Sequence, residues 1–550
     1  MPDQLTTPQA YLYRYESECP QQPYLHQPSD DGTRVFTWGD CADQARRLAS
    51  ALRAMGFEPG DRIAIFSRNC AEWIIADLAL MVGGYISVPI YSSASESTTR
   101  HTLEDSGSRA VFVGKLDHPE EQDAGIGPEV VRIAFPYPTL DCQYQWQDLL
   151  DQHEPLAESF VPAPDDVMTL LYTSGSTGKP KGAVHTYQSF LYAGDQIGRA
   201  LDFGPEDRLL SYLPLAHCTE RSYVEASSIV HQGQLWFVHS VDRFIDALKE
   251  CRPTFFGSVP RLWKIFQLQV LDKLPAQRLA LLLKLPIISG VIKQRIRRQM
   301  GLEHSRWFMS GSAPIAGSLL DWWEALDMPL SEGWGMTETF AYGTLLPFGG
   351  EIRRGTIGRA CPGTELRLSE EGELQIKTVT AMTEYWNDPE KTAESFTDDG
   401  FFKTGDRANI DADGYVRITG RVKEIFKTAK GKYVAPVPIE GRLGRNPFVE
   451  LVCLVGSGMT QPVALVVLAE SAADESREAL AESLDQTRKE LNETLESHAK
   501  IGRILVVGET WDTSNGLLTP TLKVRRHQVE QRYAAALAED HKQPVAFLAQ

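Results

Sequence analysis

Hydrophobic and polar positions in the first 350 or so residues alternate between helical and strand-like spacing. Residues 41–55 place apolar side chains at helical intervals, and the compact apolar run 62–66 follows a Pro-Gly turn. This alternation predicts a large domain of layered α/β subdomains. Further strand-like runs, with helical stretches between several of them, occur at 110–113, 168–173, 209–213, 234–238 and 255–259.

The pattern changes after about residue 350. Shorter strand-like segments, including 373–377 and 415–419, are separated by Gly and Asp turns, which predicts a β-rich subdomain. Beyond Arg421, a lysine-rich connection leads to two apolar runs and a charged helix over 472–497, a pattern typical of a small α+β domain. The predicted domains are an N-terminal domain over 1–420, a hinge and linker over 421–435, and a mobile C-terminal domain over 436–550.

Composition narrows the function classes. Apolar residues make up 42% and charged residues 23% of the 550 positions, as in ordinary globular proteins. The net charge of −18 argues against a nucleic-acid partner, because neutralising phosphates requires a basic surface. The first ten residues lack a signal-peptide pattern, and the eight cysteines form no CxxC motif, so we expect a cytoplasmic protein with reduced thiols.

The segment 170–182 carries the strongest local signal for chemistry. An apolar strand runs directly into a loop of Gly, Ser and Thr flanked by lysines, and these groups supply N–H donors, hydroxyls and positive charge for a phosphate chain. The spacing differs from the GxxxxGK[ST] pattern, since only two residues separate Gly175 from Gly178. A flexible surface loop is the alternative. The candidate residues are Thr173, Ser174, Gly175, Ser176, Thr177, Gly178 and Lys179.

This segment resembles the phosphate loop of the adenylate-forming superfamily of acyl-CoA synthetases, luciferases and peptide-synthetase adenylation domains. Further motifs follow in that family's order, and the resemblance covers nearly the whole chain. Residues 213–221 resemble the acyl-side segment and include His217, 311–314 resemble the loop beside adenine, and 331–338 resemble the segment around AMP. The resemblance implies nucleotide contacts from Gly311, Ser312, Ala313, Glu332, Gly333, Trp334, Gly335, Met336 and Thr337.

The same resemblance implies a metal site and a catalytic lysine. Thr177 and Glu338 are the implied Mg²⁺ ligands, which suits a hard cation that prefers oxygen. Asp406 and Arg421 are implied to hold the ribose, although a Gly-Asp pair alone is more typical of a turn. Lys523, in the string Asn-Gly-Leu-Leu-Thr-Pro-Thr-Leu-Lys over 515–523, is the implied catalytic lysine, and Glu338 and His217 are the other implied catalytic residues. Without the motif, a lone lysine would be expected to be solvated.

The resemblance also implies that the small domain rotates between two half-reactions, and position matching makes Lys423 the implied hinge residue. Three lysines after the hinge, Lys427, Lys430 and Lys432, are candidates for the phosphates of coenzyme A, with a solvated loop as the alternative. Trp263 lies in a stretch that resembles the fatty-acyl tunnel, and ordinary core packing is equally compatible with its sequence context.

Residues 273–300 differ from the rest of the chain because they contain seven basic and no acidic residues. Together with the neighbouring apolar side chains, they are compatible with peripheral contact at the inner face of an anionic membrane. A pair of scaffold helices with a solvated basic face is the alternative.

These motifs predict an ATP-dependent acid–CoA ligase that forms an acyl-adenylate and then an acyl-CoA, with ATP, Mg²⁺ and coenzyme A taking part. The resemblance is greatest to medium- and long-chain fatty acyl-CoA synthetases. Alternatives are an acyl-AMP ligase that loads a carrier protein, a ligase for aryl or other acids, a nucleotide-binding regulatory protein, and a membrane-surface interaction protein.

Overall fold

The protein is described by a computed structural model that covers residues 6–137, 139–173, 179–346, 349–512, 515–519, 523–539 and 543–548. The strands are β1 Pro23–Ser29, β2 Gly32–Thr37, β3 Arg62–Phe66, β4 Ile86–Ile90, β5 Ala110–Val113, β6 Val131–Ala134, β7 Tyr144–Gln145, β8 Val167–Thr173, β9 Lys181–Thr186, β10 Arg208–Ser211, β11 Gln234–Phe237, β12 Phe255–Ser258, β13 Trp307–Ser310, β14 Leu330–Glu332, β15 Thr344–Leu345, β16 Arg359–Ala360, β17 Thr364–Leu368, β18 Glu373–Thr378, β19 Phe402–Ile410, β20 Val416–Arg421, β21 Phe426–Lys427, β22 Tyr433–Val434, β23 Val449–Val455, β24 Val463–Leu468, β25 Arg503–Val507 and β26 Val545–Phe547.

The α-helices are α1 Pro8–Glu18, α2 Trp38–Ala54, α3 Ala71–Gly83, α4 Glu96–Ser106, α5 Pro119–Asp123, α6 Trp146–Gln152, α7 Tyr187–Leu201, α8 Ser227–His231, α9 Phe244–Cys251, α10 Pro260–Lys273, α11 Ala276–Leu283, α12 Pro286–Gln299, α13 Gly317–Ala325, α14 Pro389–Ser395, α15 Pro436–Leu443, α16 Arg477–Glu493, α17 Arg526–Arg532 and α18 Ala534–Ala538. Short 3₁₀ turns lie at Val241–Arg243, Thr337–Thr339, Val422–Glu424 and Glu470–Ala472, and a π-helix spans Glu220–Ala226. Within the described residues, no helix is both long and apolar enough to cross a membrane.

A seven-stranded sheet forms the first layered unit, in the order β7-β6-β5-β3-β4-β8-β9. Its strands pair in parallel except for the last pair, where β8 and β9 form an antiparallel hairpin. Helix α3 is buried along its whole length, which explains why its sequence is apolar except at Glu72 and Asp77, and both of these carboxylates form ion pairs with arginines. The hairpin puts the phosphate-loop segment at one edge of this unit.

A second unit combines two smaller sheets. One is ordered β10-β11-β1-β2, and the other is a parallel sheet of β12, β13 and β14. The carboxyl ends of parallel strands meet at one edge of a sheet, so the loops that begin at Val259, Gly311 and Gly333 emerge side by side. Two of the motifs noted in the sequence therefore share one edge.

The β-rich subdomain is an antiparallel sheet of β17-β18-β19-β20. Its register pairs Asp406 directly with Arg421 across β19 and β20. The C-terminal sheet, β23-β24-β25-β26, carries apolar clusters on both faces, one of which packs against α15 and α16. The small domain therefore has a core of its own.

The predicted fold class, an α/β protein with a β-rich subdomain and a small α+β terminal domain, is confirmed. The predicted strands at 62–66 and 110–113 coincide with β3 and β5. The helix predicted over 472–497 was drawn too long: Ser476 caps α16 by accepting a hydrogen bond from the Ala479 N–H, so the helix starts after it. The domain limits at 420 and 435 stay a prediction.

Candidate active site

The phosphate-loop segment joins the two strands of the β8–β9 hairpin. Thr173 and Lys181 are cross-strand partners at its base, and residues 174–178 (Ser174, Gly175, Ser176, Thr177 and Gly178) lie outside the described residues. Lys181 forms an ion pair with Asp388 at 2.6 Å, whereas Lys179 is exposed beside the loop. Of the two lysines, Lys179 is the one available to a phosphate.

Loops from the parallel sheet form the next part of the site. The Gly311 N–H donates to the Ser258 carbonyl on the neighbouring strand β12, and the Gly333 N–H donates to the Ser310 carbonyl on β13. Ser312 has a φ of 67°, a backbone conformation that a non-glycine residue seldom adopts. Ala313 continues this loop. Such conformations are concentrated at ligand-binding loops, which agrees with the predicted adenine-side role. At Gly335, an added Cβ would collide with the backbone of Ala341, so only glycine fits there.

Trp334, Asp406 and Arg421 form a hydrogen-bonded group. The Trp334 indole N–H donates to Asp406 Oδ2 at 2.9 Å, and Arg421 Nε contacts Asp406 Oδ1 at 2.9 Å. Each carboxylate oxygen accepts up to two hydrogen bonds, so both keep capacity for a further donor such as a diol hydroxyl. The sequence argument named Trp334 only as an implied nucleotide contact; the structure adds that its indole N–H donates to Asp406.

Glu338 is held by a residue that the sequence argument did not single out. The Tyr385 hydroxyl donates to Glu338 Oε1 at 2.7 Å, and the Glu338 carbonyl accepts from the Met382 N–H at 2.8 Å. Among the described residues, no group of three or more His, Cys, Asp or Glu side chains is placed to hold a metal ion. A single fixed carboxylate fits Mg²⁺, which usually takes one or two carboxylates and completes its shell with phosphates and water.

Thr337 and Glu332 complete the 331–338 segment. The Thr337 carbonyl lies 2.7 Å from His185 Nε2, which anchors this turn to β9, and Met336 precedes it. Burial raises the pKa of Glu332 to about 7, with Arg417 opposing the shift. Near neutral pH the Glu332 carboxyl group is therefore present in both its protonated and its ionised form, and the protonated form is able to donate a hydrogen bond.

His217 lies on the acyl-side segment in a defined tautomeric form. Its Nδ1 accepts a hydrogen bond from the Thr219 N–H at 3.2 Å, so in the neutral ring Nε2 carries the proton. Burial, and to a smaller extent the charge of Lys523, lowers the pKa of His217 to about 4. At neutral pH His217 is thus an uncharged donor through Nε2.

Lys523 reaches this site from the C-terminal domain. Its backbone is held by two hydrogen bonds with Thr519, at 2.8 and 3.0 Å. The side chain retains exposed surface, yet the surrounding protein removes much of its water, and this desolvation lowers the pKa of Lys523. Arg421 lowers this pKa further, while Asp406 acts in the opposite direction. The ammonium group therefore lies in the electrostatic field of Asp406, Arg421 and His217 together.

A small apolar cavity of about 70 Å³ is lined in part by Thr219 and Glu220 of the acyl-side segment. Its wall includes Tyr212, Gly257 and Met309, and it extends to Gly311 and Ser312 on the adenine side. Met309 would lie 3.7 Å from a Cβ added at Gly257 and 3.3 Å from one added at Gly333. Its side chain therefore lies between the cavity wall at Gly257 and the loop that begins at Gly333.

The Glu-Arg pair that ends the 213–221 motif holds the acyl-side segment in place. Glu220 begins the π-helix, and its Oε1 accepts from Ser211 Oγ at 2.7 Å and from the Tyr212 N–H at 2.9 Å. Burial raises the pKa of Glu220 to about 8. Arg221 is fully buried and lies 3.0 Å from Asp77 and 3.2 Å from Glu225. Glu220 lines the cavity. Arg221 does not line it and instead forms buried ion pairs that hold the segment against α3.

Other predicted residues lie around this centre. Trp263 is fully buried, and its indole N–H donates to the Met309 carbonyl at 3.1 Å; it packs in the core behind the cavity wall, so its tunnel role stays a prediction. Lys427, Lys430 and Lys432 are exposed on the short β21–β22 hairpin. Lys423 lies in the 3₁₀ turn Val422–Glu424, and its side chain is outside the described part of the structure.

The sequence argument did not predict the roles of three residues of the candidate site. Tyr385 holds Glu338, and Met309 and Glu220 line the cavity. Tyr385 sits beside Trp386 in an otherwise polar stretch, and this aromatic pair was the only signal for it. Met309 occupies an ordinary buried strand position. Its place beside Gly257 and Gly333 depends on strand pairing, which the sequence pattern does not specify.

Comparison with known proteins identifies the family. The family model described as AMP-binding enzyme matches residues 14–386, and the model described as AMP-binding enzyme C-terminal domain matches residues 423–543. The chain belongs to the AMP-binding enzyme family. The long-chain-fatty-acid–CoA ligase FadD15 of Mycobacterium bovis is 30% identical over 96% of this chain and 95% of its own length.

Two further comparisons agree. Long-chain-fatty-acid–CoA ligase 5 of Rattus norvegicus is 28% identical, covering 92% of this chain and 83% of that protein. The crystal structure of the anthranilate CoA ligase AuaEII in complex with anthranoyl-AMP has the same fold, with a TM-score of 0.81 at 21% identity over 97% of this chain and 99% of that one. As a family member, the chain is an AMP-forming acid–thiol ligase, and the prediction that it uses ATP and coenzyme A is confirmed.

Proposed function

We propose that this enzyme activates a medium- or long-chain fatty acid as an acyl-adenylate and transfers the acyl group to free coenzyme A. Two observations carry this proposal. Lys523 interacts electrostatically with Asp406, Arg421 and His217, and an apolar cavity is lined by Thr219 on the acyl-side segment and by Gly311 on the adenine side. The apolar wall suits a hydrocarbon chain, and the curated relatives quoted above are named for long-chain fatty acids.

In the first half-reaction the carboxylate of the fatty acid attacks the α-phosphate of ATP, and pyrophosphate leaves. Both reactants are anions, so a fixed positive charge between them stabilises the transition state. Lys523 would supply that charge. His217, neutral and protonated at Nε2, adds an uncharged donor on the acyl side.

The nucleotide would be held by groups whose orientation is already fixed by hydrogen bonds. Asp406 would accept the ribose hydroxyls with the acceptor capacity left after its bonds to Trp334 and Arg421. The loops at Gly311 and Gly333 would face the adenine ring. Glu338, fixed by Tyr385, would hold Mg²⁺ together with Thr177, and the ion would offset the charge of the phosphate oxygens.

In the second half-reaction the thiolate of coenzyme A attacks the acyl carbonyl, the thioester forms and AMP leaves. We propose that the small domain rotates about Lys423 between the two steps, which withdraws Lys523. In the present orientation Arg261 on α10 contacts Glu450 on β23 at 2.6 Å, and this ion pair joins the two domains. The exposed lysines of the β21–β22 hairpin are candidates for the phosphates of coenzyme A.

A panel of acids from acetate to oleate, with aryl acids included, tests this proposal. Pyrophosphate release and acyl-CoA formation are measured for each acid with and without coenzyme A, for the wild type and for Lys523→Ala. We expect the highest kcat/KM for a medium- or long-chain acid, with acyl-CoA as product. Adenylate formation without transfer to free coenzyme A would favour a carrier-protein acceptor, and preference for an aryl acid would reject the fatty-acid assignment.

Two statements about location are also proposals. We expect the enzyme in the cytoplasm, where ATP and coenzyme A are available. We also expect residues 273–300 to contact the inner face of a membrane. This contact does not require the ATP site, because it involves only the surface helices α11 and α12. A lipid-binding protein without ligase activity would bind vesicles yet release no pyrophosphate with any acid.

A further inference from the structure

Arg526 is a largely buried arginine that has no part in the mechanism proposed above. It lies three residues after Lys523, at the first position of α17, and its side chain is only 14% exposed. Its guanidinium group has carboxylates on two elements and a backbone carbonyl on a third as partners. The planar fork of an arginine binds such partners in a defined geometry. The side chain therefore fixes the elements that carry its partners relative to one another.

Two of these partners belong to the core of the small domain. Arg526 Nη1 donates to Glu440 Oε1 on α15 at 2.5 Å and to the Leu454 carbonyl on β23 at 2.6 Å, and Nη2 donates to Glu440 Oε2 at 3.0 Å. Glu440 Oε1 also accepts from the Leu454 N–H at 2.6 Å. The guanidinium and the Glu440 carboxylate thus form a bidentate pair, which adds geometric specificity to the attraction of the charges. This pair holds the start of α17 against α15 and β23.

The third partner lies in the hinge turn. Glu424 belongs to the 3₁₀ turn Val422–Glu424, directly after the proposed hinge residue Lys423, and its Oε2 lies 3.5 Å from Arg526 Nη2. The Glu424 side chain is 36% exposed, so this contact is looser than the pair with Glu440. Arg526 thus connects the hinge turn to the core of the small domain.

The segment between Lys523 and Arg526 links this anchor to the active site. Only two residues separate them, so their α-carbons lie no more than about 11 Å apart. Val524 pairs with Leu518 in an isolated antiparallel bridge, which limits the freedom of the segment. Desolvation lowers the pKa of Lys523, and Glu424 is among the carboxylates that oppose this shift. A displacement of the guanidinium group would therefore displace the backbone that carries Lys523.

We propose that Arg526 is a positioning residue for adenylation, because its contacts with the hinge turn and the domain core set the position from which Lys523 enters the active site. Adenylation needs an ammonium group between two anions, and a misplacement of about 1 Å in such a site costs about 100-fold in rate. The inference rests on the proposed role of Lys523 in the first half-reaction, but not on which acid is activated. Because Lys523 is withdrawn before the thiol attacks, Arg526 serves the first half-reaction only.

Two partial reactions of the full-length protein test this role. Adenylation is measured without coenzyme A, as the pyrophosphate released in the first turnover with the acid that the wild type activates best. Thioester formation is measured from the preformed acyl-adenylate and coenzyme A. Arg526→Gln removes the charge, and Arg526→Lys keeps the charge but lacks the bidentate fork. The matched control is Arg532→Gln on the same helix, where the arginine is 61% exposed and pairs with Glu509.

We expect Arg526→Gln to slow adenylation about 100-fold, and Arg526→Lys to slow it about tenfold because the lysine keeps part of the ionic contact. In both variants thioester formation should stay within about twofold of the wild-type rate, since Lys523 is withdrawn in that step. Arg532→Gln should leave both reactions unchanged, because its side chain lies on the surface.

A double-mutant cycle with Lys523→Ala separates positioning from a general loss of stability. If Arg526 acts through Lys523, adding Arg526→Lys to Lys523→Ala should slow adenylation no further, because no ammonium group is left to position. A further loss of about tenfold in that background would overturn the proposal. An equal loss of both half-reactions in the single variants would also overturn it, because Arg526 would then support only the fold of the domain.

Thermal unfolding is measured for every variant, because Arg526→Gln leaves the Glu440 carboxylate without its charged partner. Should that variant not fold, Arg526→Lys and Glu424→Gln decide the outcome. Glu424→Gln alters a partly exposed side chain and is expected to slow adenylation about twofold to fivefold, with thioester formation unchanged. Unchanged adenylation in both of these variants would overturn the proposal. A wild type that releases pyrophosphate with no acid would instead reject the proposed function and this inference together.

Discussion

On the nucleotide side of the candidate site, carboxylates are paired with donors from other parts of the fold, whereas the acyl side is a small apolar cavity. Asp406 is held by Trp334 and Arg421, and Glu338 by Tyr385. The cavity is instead formed by dispersed side chains such as Met309 and by the absence of one at Gly257. Polar recognition requires particular groups at fixed positions, while an apolar pocket requires only shape and size.

The volume of the cavity sharpens this contrast. About 70 Å³ is well below the 300 Å³ or more that ligand sites commonly provide. A hydrocarbon tail would therefore have to displace side chains in order to enter. Methionine is suited to that movement, because its unbranched chain adapts to irregular space, and Met309 lies at the boundary with the nucleotide loops. In the proposed mechanism, Asp406 and Glu338 on the nucleotide side are already oriented, whereas the acyl side would open around its substrate.

Lys523→Ala is expected to cause the largest loss, because it removes the positive charge that both sides of the site share. Loss of one fixed group that stabilises transition-state charge costs about 10²- to 10³-fold in rate. The measurement is kcat for acyl-CoA formation at saturating ATP and acid. A reduction of less than about tenfold would show that Lys523 does not serve the chemistry.

Asp406→Ala tests the nucleotide side alone. Loss of hydrogen bonds to a charged group is expected to raise the KM for ATP by about 10- to 100-fold. The wild type should discriminate between ATP and 2′-deoxy-ATP, and the variant should lose much of that discrimination because its ribose contact is gone. Unchanged discrimination would mean that Asp406 contacts no ribose hydroxyl and only anchors Trp334 and Arg421.

Gly257→Leu tests the acyl side alone. The larger side chain would fill the cavity beside Met309, so kcat/KM for a long-chain acid is expected to fall about tenfold. The KM for ATP should change little. Gly257→Ala is the matched control, since its Cβ would make an ordinary 3.7 Å contact with Met309. If both variants affect short and long acids equally, the cavity is not the acyl pocket.

The pH dependence of adenylation probes the environment of Lys523. Desolvation and Arg421 lower the pKa of Lys523, and in the proposed mechanism the protonated form is the active one. Activity should therefore fall as pH rises through a value below the ordinary lysine pKa of about 10.4. Lys523→Arg, if active, should shift this alkaline limb upward, because arginine stays protonated. An alkaline limb that is identical in both proteins would assign the titration to another group.

Glu450→Gln is expected to have the smallest effect, because it disturbs only the orientation of the domains. Arg261 and Glu450 are both partly exposed, so their ion pair contributes at most about 1 kcal/mol. Adenylation should slow by about twofold to fivefold, while thioester formation should be unchanged or faster. A parallel decrease in both half-reactions would argue against a role for this pair in domain orientation.

The contrast between the two sides also explains which site residues could be predicted from the sequence. Trp334, Glu338, Asp406 and Lys523 are recognisable because a charged or hydrogen-bonding role restricts the residue type at each position. Met309 and Tyr385 are not, because many buried strands contain a methionine and many loops an aromatic pair. Their roles depend on strand register and on contacts between distant segments, which local periodicity does not encode.

The assignment of Lys523 to the first half-reaction is most directly tested by supplying Lys523→Ala with preformed fatty acyl-adenylate and coenzyme A. The account predicts that this variant forms acyl-CoA from the acyl-adenylate at close to the wild-type rate, although it makes almost none from free acid and ATP. A comparable loss in both reactions would contradict the account, because Lys523 would then act in both steps or support the fold.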